Sequence, residues 1–261
     1  MTGDDPQSIA LAGDWHANTA WARRAIDHAH QLGAQHIVHL GDFGYDFDPG
    51  YLIRVNDALF ANDLHLWFID GNHENFNKLN RYPIEDDGRR HLTSRIHHLP
   101  RGYRWEWHGV RFLAVGGAHS VDRPFRVTDL SWWPQEWLTD DDIANAINGG
   151  PVDVLISHDC PTGVDIPGLD GNPHGFPELE IMRANEHRQR LATIVAHTKP
   201  KMIYHGHYHV AYQTVARLNH GHVQVRGLDC DGTSLDDNIA ICDLTGDNDE
   251  RLRSHNAVES R

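Results

Sequence analysis

The stretch Leu64-His65-Leu66-Trp67-Phe68-Ile69-Asp70-Gly71-Asn72-His73-Glu74 is an apolar run that breaks into a glycine and then three side chains able to hold a cation or move a proton. A short apolar run with such punctuation reads as a buried strand, Leu64–Asp70, whose chemistry sits just past its carboxyl end. The same grammar recurs on the N-terminal side. Ile9–Ala12 reads as a strand before Asp14-Trp15-His16, and His36–Leu40 as a strand before Gly41-Asp42. Between the strands, Thr19–Leu32 carries Trp21, Ala25, Ala29 and Leu32 at helical spacing and stops at Gly33. Tyr51–Ala61 repeats the pattern with Leu52, Val55 and Leu59. Strands alternating with helices imply a parallel sheet of βαβ units.

On the C-terminal side the pattern changes after Tyr82. Arg104–Trp107 and Val110–Val115, joined at His108-Gly109, read as a β-hairpin. A helix near Asp140–Ile147 leads to the strand Val152–Ser157, which ends at His158. A Gly/Pro-rich loop, Asp159–Pro177, precedes a helix from Glu178 to His197. Four strands follow, Lys201–His205, Ala211–Ala216, Val223–Gly227 and Ile239–Leu244, the first ending in Gly206-His207-Tyr208-His209. Thr245–Arg261 is a polar tail expected to fray. An αβ half followed by a strand-rich half suggests two sheets packed face to face with helices outside. Residues 1–244 are expected to form one domain.

Composition bounds the function. The chain has 261 residues with 39 % hydrophobic and 23 % charged, enough for a sizeable core. Its 23 Lys and Arg against 37 Asp and Glu give a net charge of −14. So acidic a surface opposes non-specific nucleic-acid binding and docking on anionic lipid. The longest apolar stretch, near Leu64–Ile69, is far short of a membrane span, and Met1–Gln7 lacks the basic start of a signal peptide. Cys160, Cys230 and Cys242 are widely separated and suggest neither a disulfide framework nor a cysteine zinc site, so a cytoplasmic location is expected.

Histidine is abundant at 22 residues, so any His motif must be weighed against chance. Asp-x-His is expected about twice in a chain of this composition. It occurs twice, at Asp14/His16 and Asp63/His65, and carries no weight alone. Gly-His-x-His is expected roughly 0.2 times and Gly-Asn-His followed by an acid about 0.02 times. Placement adds more than identity does. Asp14, His16, Asp42, Asn72, His158, His207 and His209 all directly follow expected strands, where the turns of an α/β sheet converge on a ligand. Asp63/His65 begins a strand and has no assigned role.

In this order the motifs resemble those of the calcineurin-like metallophosphoesterases, over about three quarters of the chain from Asp14 to His209. The resemblance implies a four-layer α/β/β/α sandwich and a two-metal site. It implies Asp14, His16, Asp42 and His209 on one ion, and Asp42, Asn72, His158 and His207 on the other, with Asp42 bridging. It also implies that His73 contacts the phosphoryl group and protonates the leaving oxygen. Mixed imidazole, carboxylate and amide ligands suit divalent transition metals, manganese first, then iron, zinc, cobalt or nickel. Two such ions clamp the entering and leaving oxygens at phosphorus and make hydroxide available to attack near neutral pH. Two ions, Asp14, Asp42 and one hydroxide leave roughly one positive charge, which draws a phosphoester despite the acidic surface.

The chain departs from the protein-phosphatase branch. Where that branch reads Gly-Asp-x-Val-Asp-Arg-Gly, this sequence has Gly41-Asp42-Phe43-Gly44-Tyr45-Asp46-Phe47, with Tyr45 in place of the second Asp and no Arg after it. The expected substrate is a small phosphodiester, a nucleotide and cyclic nucleotides included. A small phosphomonoester comes next and a nuclease third. The non-enzyme competitor is a metal-binding scaffold of the same fold. Further readings are minor. Glu74 reads as a helix-start carboxylate and His205 as a hydrogen-bonded strand residue. Trp132, Trp133 and Trp137 read as a peripheral core cluster or a cleft lining. Segment Gly116–Arg126, with Ser120, Asp122, Arg123 and Arg126, could supply an Arg for phosphate, and His174 is a remoter candidate. The remaining histidines read as a solvated surface, and Asp140–Asp142 as a helix start.

Overall fold

In the computed structural model residues 5–245 are described, together with the backbone of residues 254–255. Most of the expected tail, and residues 1–4 of the N-terminal segment, lie outside the described residues. The strands are β1 (Ser8–Ala12), β2 (His36–His39), β3 (His65–Phe68), β4 (Arg90–His91), β5 (Ile96–His98), β6 (Arg104–Trp107) and β7 (Val110–Val115). They continue with β8 (Val154–Ser157), β9 (Met202–His205), β10 (Tyr212–Leu218), β11 (Gly221–Gly227), β12 (Ile239–Asp243) and β13 (Ser254–His255). The helices are α1 (Thr19–Gln31), α2 (Pro49–Ala61), α3 (Phe76–Leu79), α4 (Asp140–Asn148), α5 (Glu178–Thr198) and α6 (Leu235–Asn238).

One sheet runs β13-β12-β1-β2-β3-β5-β4 and the other β10-β11-β9-β8-β7-β6. The two sheets do not follow the halves of the chain. β12 returns to pair antiparallel with β1, because the alternation of Ile239, Ala240 and Ile241 matches the buried edge left there. Period-two alternation sets the layers. Ile9 and Leu11 face a core between the sheets with Phe112, Ile156 and Tyr204, while Ala10 and Ala12 face α1 and α2. On the second sheet Leu113, Leu155 and Ile203 face the other way, toward Leu191, Ile194 and Val195 of α5. The result is the four-layer α/β/β/α sandwich. Each fully buried aliphatic side chain contributes about 1.5–3 kcal/mol, and three such cores hold the strand ends in register.

Helix limits follow local chemistry. The Asn18 side chain caps α1 by accepting from Trp21 N–H at 3.1 Å. Asp48 caps α2 with Pro49 at the first turn, so this helix starts earlier than Tyr51. Thr139 and Asp142 form a capping box at α4. Between Tyr82 and Arg104 the sequence showed no strand, yet β5 forms because it pairs parallel with β3 and buries Ile96. The spare histidines are not all solvated, contrary to expectation. His36, His39, His97, His98, His119 and His187 are buried. Burial pushes His39 down to about 3 and His97 to about 4, so both pack as neutral rings.

Candidate metal and phosphoester site

β1, β2 and β3 run parallel, as do β7, β8 and β9, so their carboxyl ends open on one rim. The turn after β1 delivers Asp14 and His16, that after β2 Asp42, and that after β3 Asn72 and His73. The turns after β8 and β9 deliver His158 and His207 with His209. Asp14, Asp42, Asn72 and His158 are buried. The turns are tight, with left-handed backbone at His16, Asp42, Tyr45, His207 and His209. Such strain persists where the surroundings over-determine it. Glycine is required here for space, since a Cβ on Gly71 would collide with Asp42 Oδ1, and one on Gly206 with Asp14 Oδ1.

Two carboxylates organise the cluster. Asp42 Oδ2 lies 3.6 Å from His16 Nε2, 3.5 Å from His158 Nε2 and 3.9 Å from His73 Nε2. Asp14 Oδ2 lies 3.2 Å from His209 Nε2. Asn72 Oδ1 is 3.1 Å from His158 Nε2. Three groups, Asp14/His16/His209, His16/Asp42/His73 and Asp14/Asp42/His158, each place one ligand atom per residue within 4.8 Å of the others. Donors about 2.1 Å from one ion lie about 3–4 Å apart, so these spacings suit metal coordination. His207 stands outside these groups, its ring 5.1 Å from that of His158 and its N–H donating to Asp14.

The calcineurin-like phosphoesterase family model matches residues 8–211, the interval that contains every one of these residues. The chain belongs to that family. Calcineurin-like phosphoesterases are metal-dependent, and the groups above can hold metal. No curated protein matches the chain by sequence. Solved structures share the fold. A Thermus thermophilus protein is 11% identical, with TM-score 0.55 over 96% of this chain and 99% of that one. A Danio rerio protein described as a dimetal phosphatase is 14% identical, with TM-score 0.57 over 92% and 93%. A Plasmodium protein described as the anchor in the inner membrane complex is 10% identical, with TM-score 0.50 over 97% and 89%.

The donor set of this calcineurin-like phosphoesterase fits divalent cations. His158 Nδ1–H donates to Leu40 O at 2.7 Å, which leaves the Nε2 lone pair facing Asn72 Oδ1 and Asp42 Oδ2. A lone pair aimed at oxygens is repulsive unless a cation or a proton lies between them. In the metal-free protein a proton is favoured there. Burial pulls His158 down, but Asp42 and Asp14 together raise it to about 10. His16 is likewise raised to about 9, burial being outweighed by Asp42, Asp14 and Asp231. His209 is raised to about 11, chiefly by Asp14 against burial. His207 is pushed down to about 3 by burial and then by His158, so its ring is a neutral donor.

His73 has surroundings of its own. Its N–H donates to Asp42 Oδ1 at 2.9 Å, and its ring lies 5.2 Å from Tyr45. Arg126 Nη2 donates to His73 Nε2 at 2.7 Å, while Arg126 Nε pairs with Asp122 Oδ1 at 2.7 Å. The Gly116–Arg126 segment therefore does bring an Arg to the site, where the phosphatase-branch Arg is missing. Among the described residues Arg126 Nη1 is buried without a hydrogen-bond partner. Burial, with Arg126 and His16 outweighing Asp42, holds His73 down at about 4.

Glu74 is not a helix-start carboxylate. Asn75 caps α3, and Glu74 is buried, accepting from Phe43 N at 2.7 Å, Gly44 N at 3.3 Å and Gly71 N at 2.6 Å. It staples the Asp42 turn to the Asn72 turn. Burial and then Asp42 push its carboxyl up to about 8, against the pull of those N–H donors. His205 packs as a strand residue, its Nε2 2.6 Å from the Tyr212 hydroxyl. His174 lies in the Gly/Pro-rich loop beside Phe176 and is in none of the three donor groups.

Sequence reasoning named Ser120 without a role for it and missed the other supporting groups. Asp231, after β11, holds His16 Nδ1 at 2.7 Å and accepts from Asn18 Nδ2 at 2.7 Å. Its one available signal was an acidic Asp-Cys-Asp run directly after an expected strand. Ser120 Oγ accepts from Asn72 Nδ2 at 3.0 Å and is itself 2.5 Å from Glu136 Oε2. Asp70 binds Arg101 at 2.7 Å, and Arg101 donates to the carbonyls of Gln135 and Trp137, which fixes the Trp-rich segment beside the site. Trp132 and Trp137 line a cleft there, whereas Trp133 is buried.

Proposed function

We propose that this chain is a two-metal phosphoesterase that hydrolyses small phosphodiesters, nucleotides and cyclic nucleotides first, with His73 as the general acid. One observation carries the reading. The imidazole Nε2 atoms of His16 and His158 converge on Asp42 from the ends of different strands, with each Nδ1 tied off behind. We assign Asp14, His16, Asp42 and His209 to one ion, and Asp42, Asn72, His158 and His207 to the other, with manganese the first choice. When bound, the ions supply the positive charge that holds a phosphoryl group and acidifies water. Arg126, with Nη2 on His73 Nε2 and a buried Nη1 that has no partner, is the guanidinium placed to meet a phosphoryl oxygen. Transfer of the Arg126 contact from His73 to a phosphoryl oxygen would free His73 Nε2 to hold a proton and pass it to the leaving oxygen.

The fold alone does not decide between catalysis and scaffolding, as the dimetal phosphatase of Danio rerio and the anchor of Plasmodium illustrate. The intact donor set and the placement of His73 favour catalysis. The net charge of −14 favours small esters over polynucleotides. The same reading takes residues 1–244 as one domain with a polar tail, and places the chain in the cytoplasm, where Cys160, Cys230 and Cys242 stay free thiols. No described helix is long and apolar enough to cross a membrane.

The test is a metal-reconstituted screen of bis(p-nitrophenyl) phosphate and p-nitrophenyl phosphate beside 2′,3′- and 3′,5′-cyclic nucleotides. Diester turnover is expected, with about two ions per chain. Asp42→Asn should lose more metal and more activity than His209→Ala, because Asp42 serves both ions. A monoester preference would move the reading to a phosphomonoesterase. No transition metal bound and no turnover after reconstitution would end it.

A further inference from the structure

Linked to the candidate ligand cluster through Glu136 and Ser120 lies a cleft of about 660 Å³, the size of a small-ligand site. Its lining includes Arg123, Trp132, Glu136, Trp137, Glu180 and Arg183. It shares a wall with the phosphoester site. Glu136 Oε2 is 2.5 Å from Ser120 Oγ, which in turn accepts from Asn72 Nδ2 at 3.0 Å. Arg123 lines the cleft, and Arg126 of the same loop touches His73 at 2.7 Å, so one loop joins the cleft wall to the residue proposed as proton donor.

The wall is built from flat surfaces. The Arg123 guanidinium lies 3.8 Å from the Trp132 ring centroid. A guanidinium stacked on an indole is a platform for a further aromatic ring. Trp137 is held by edge contacts with His119 at 5.7 Å and His187 at 5.3 Å, which limits its rotation. Part of the charge is paired off within the wall. Glu180 is 2.7 Å from His119 Nε2 and 2.9 Å from Arg183 Nη1. A cationic leaving group would meet Arg123 already on the indole, and an anionic one would meet Glu136 and Glu186. A flat neutral ring with hydrogen-bonding edges meets neither obstacle.

We infer that this cleft is the leaving-group subsite and that it takes a nucleobase, so the favoured ester carries a nucleoside. The inference rests on the phosphoesterase reading for the ligand's direction, but base binding itself needs no metal. Binding of adenosine, adenosine 5′-monophosphate and ribose 5-phosphate to metal-free protein is measured by calorimetry and by quenching of tryptophan fluorescence. One base–aromatic stack is worth roughly 5- to 150-fold in affinity, so the monophosphate should exceed ribose 5-phosphate by that factor. Trp132→Ala should erase the difference and leave ribose 5-phosphate binding unchanged, while Trp132→Phe should retain most of it. An unchanged melting temperature of the metal-free variants guards against misfolding. Equal affinity for the two phosphates, or an equal loss for both in Trp132→Ala, would overturn the subsite. Adenosine binding with no turnover of any ester would sink the phosphoesterase reading while leaving the subsite standing. Turnover of p-nitrophenyl esters with no base preference would do the reverse.

Discussion

Removing the Asp231 carboxylate should weaken one metal position and leave the other intact. Asp231 Oδ1 lies 2.7 Å from His16 Nδ1, its Oδ2 accepts from Asn18 Nδ2 at 2.7 Å, and its own N–H donates to Asp14 O at 2.8 Å. The carboxylate thus fixes the His16 tautomer and aims Nε2 at Asp42, 3.6 Å away. Losing such a partner behind a ligand histidine typically costs 10–100-fold in metal affinity, about 1.4–2.7 kcal/mol. Asp231 has a side-chain exposure of 19%, so solvent replaces part of what is lost, and Asp231→Ala should fall toward the tenfold end. Asp231→Asn keeps one acceptor for His16 but sets an amide against Asn18 Nδ2, and should lie between wild type and Ala. Competitive titration against a chelating dye should resolve two binding steps, with only the step that uses His16 shifted. Melting of the metal-free variants separates a binding loss from misfolding. Equal weakening of both steps, or no shift in either, would refute the assignment of His16 to a single ion.

Metal affinity should also depend steeply on pH. In the metal-free protein His16, His158 and His209 are raised to about 9, 10 and 11, so at neutral pH each is protonated and an ion must displace that proton. Affinity should rise about tenfold per pH unit for each proton displaced, up to about pH 9, with protons released on binding in unbuffered solution. The sign for stability is opposite. Because these values are raised above the ordinary 6.5, the metal-free fold carries stabilisation that is complete below about 6.5 and lost as the pH rises through about 9 to 11. Flat metal binding between pH 6 and 9 would contradict the proton placement. His73→Ala should lose about 10²–10⁴-fold more rate on an alkyl or nucleotide ester than on a p-nitrophenyl ester, whose leaving group needs no proton, with metal content unchanged. Equal losses would make His73 an electrostatic contact to the phosphoryl group, and lost metal would make it a ligand.

Some of this is legible in the amino-acid sequence alone. The strands ending at Ala12, His39, Phe68, Ser157 and His205 are dense apolar runs that stop at glycine, histidine or aspartate. Such patterns are set by burial and turn chemistry within a few residues. Other elements carried no local signal. β5 reads Ile96-His97-His98, which has no apolar run and becomes a strand because β3 offers it a parallel edge. The buried histidines were misjudged for a related reason. His39 sits in β2 with its ring 4.6 Å from Trp15 and 5.4 Å from Phe43, an environment that residue type alone does not reveal.

The sequence by itself determined which side chains could hold cations and that they would gather at one end of a parallel sheet. Both follow from residue chemistry and from the fixed direction of βαβ units. Only the tertiary structure decided what stands behind them. Asp231 meets His16 from 215 positions away, Arg126 meets His73 from 53, and Asn72 meets Ser120 from 48. Those meetings are settled by sheet order, β11 beside β9 and β7 beside β8, and by the packing of two sheets across one core. A carboxylate held on His16 Nδ1 and an arginine held on His73 Nε2 depend on distances of about 3 Å. Such distances between remote segments are fixed by the packed core, because no short stretch of chain contains both partners.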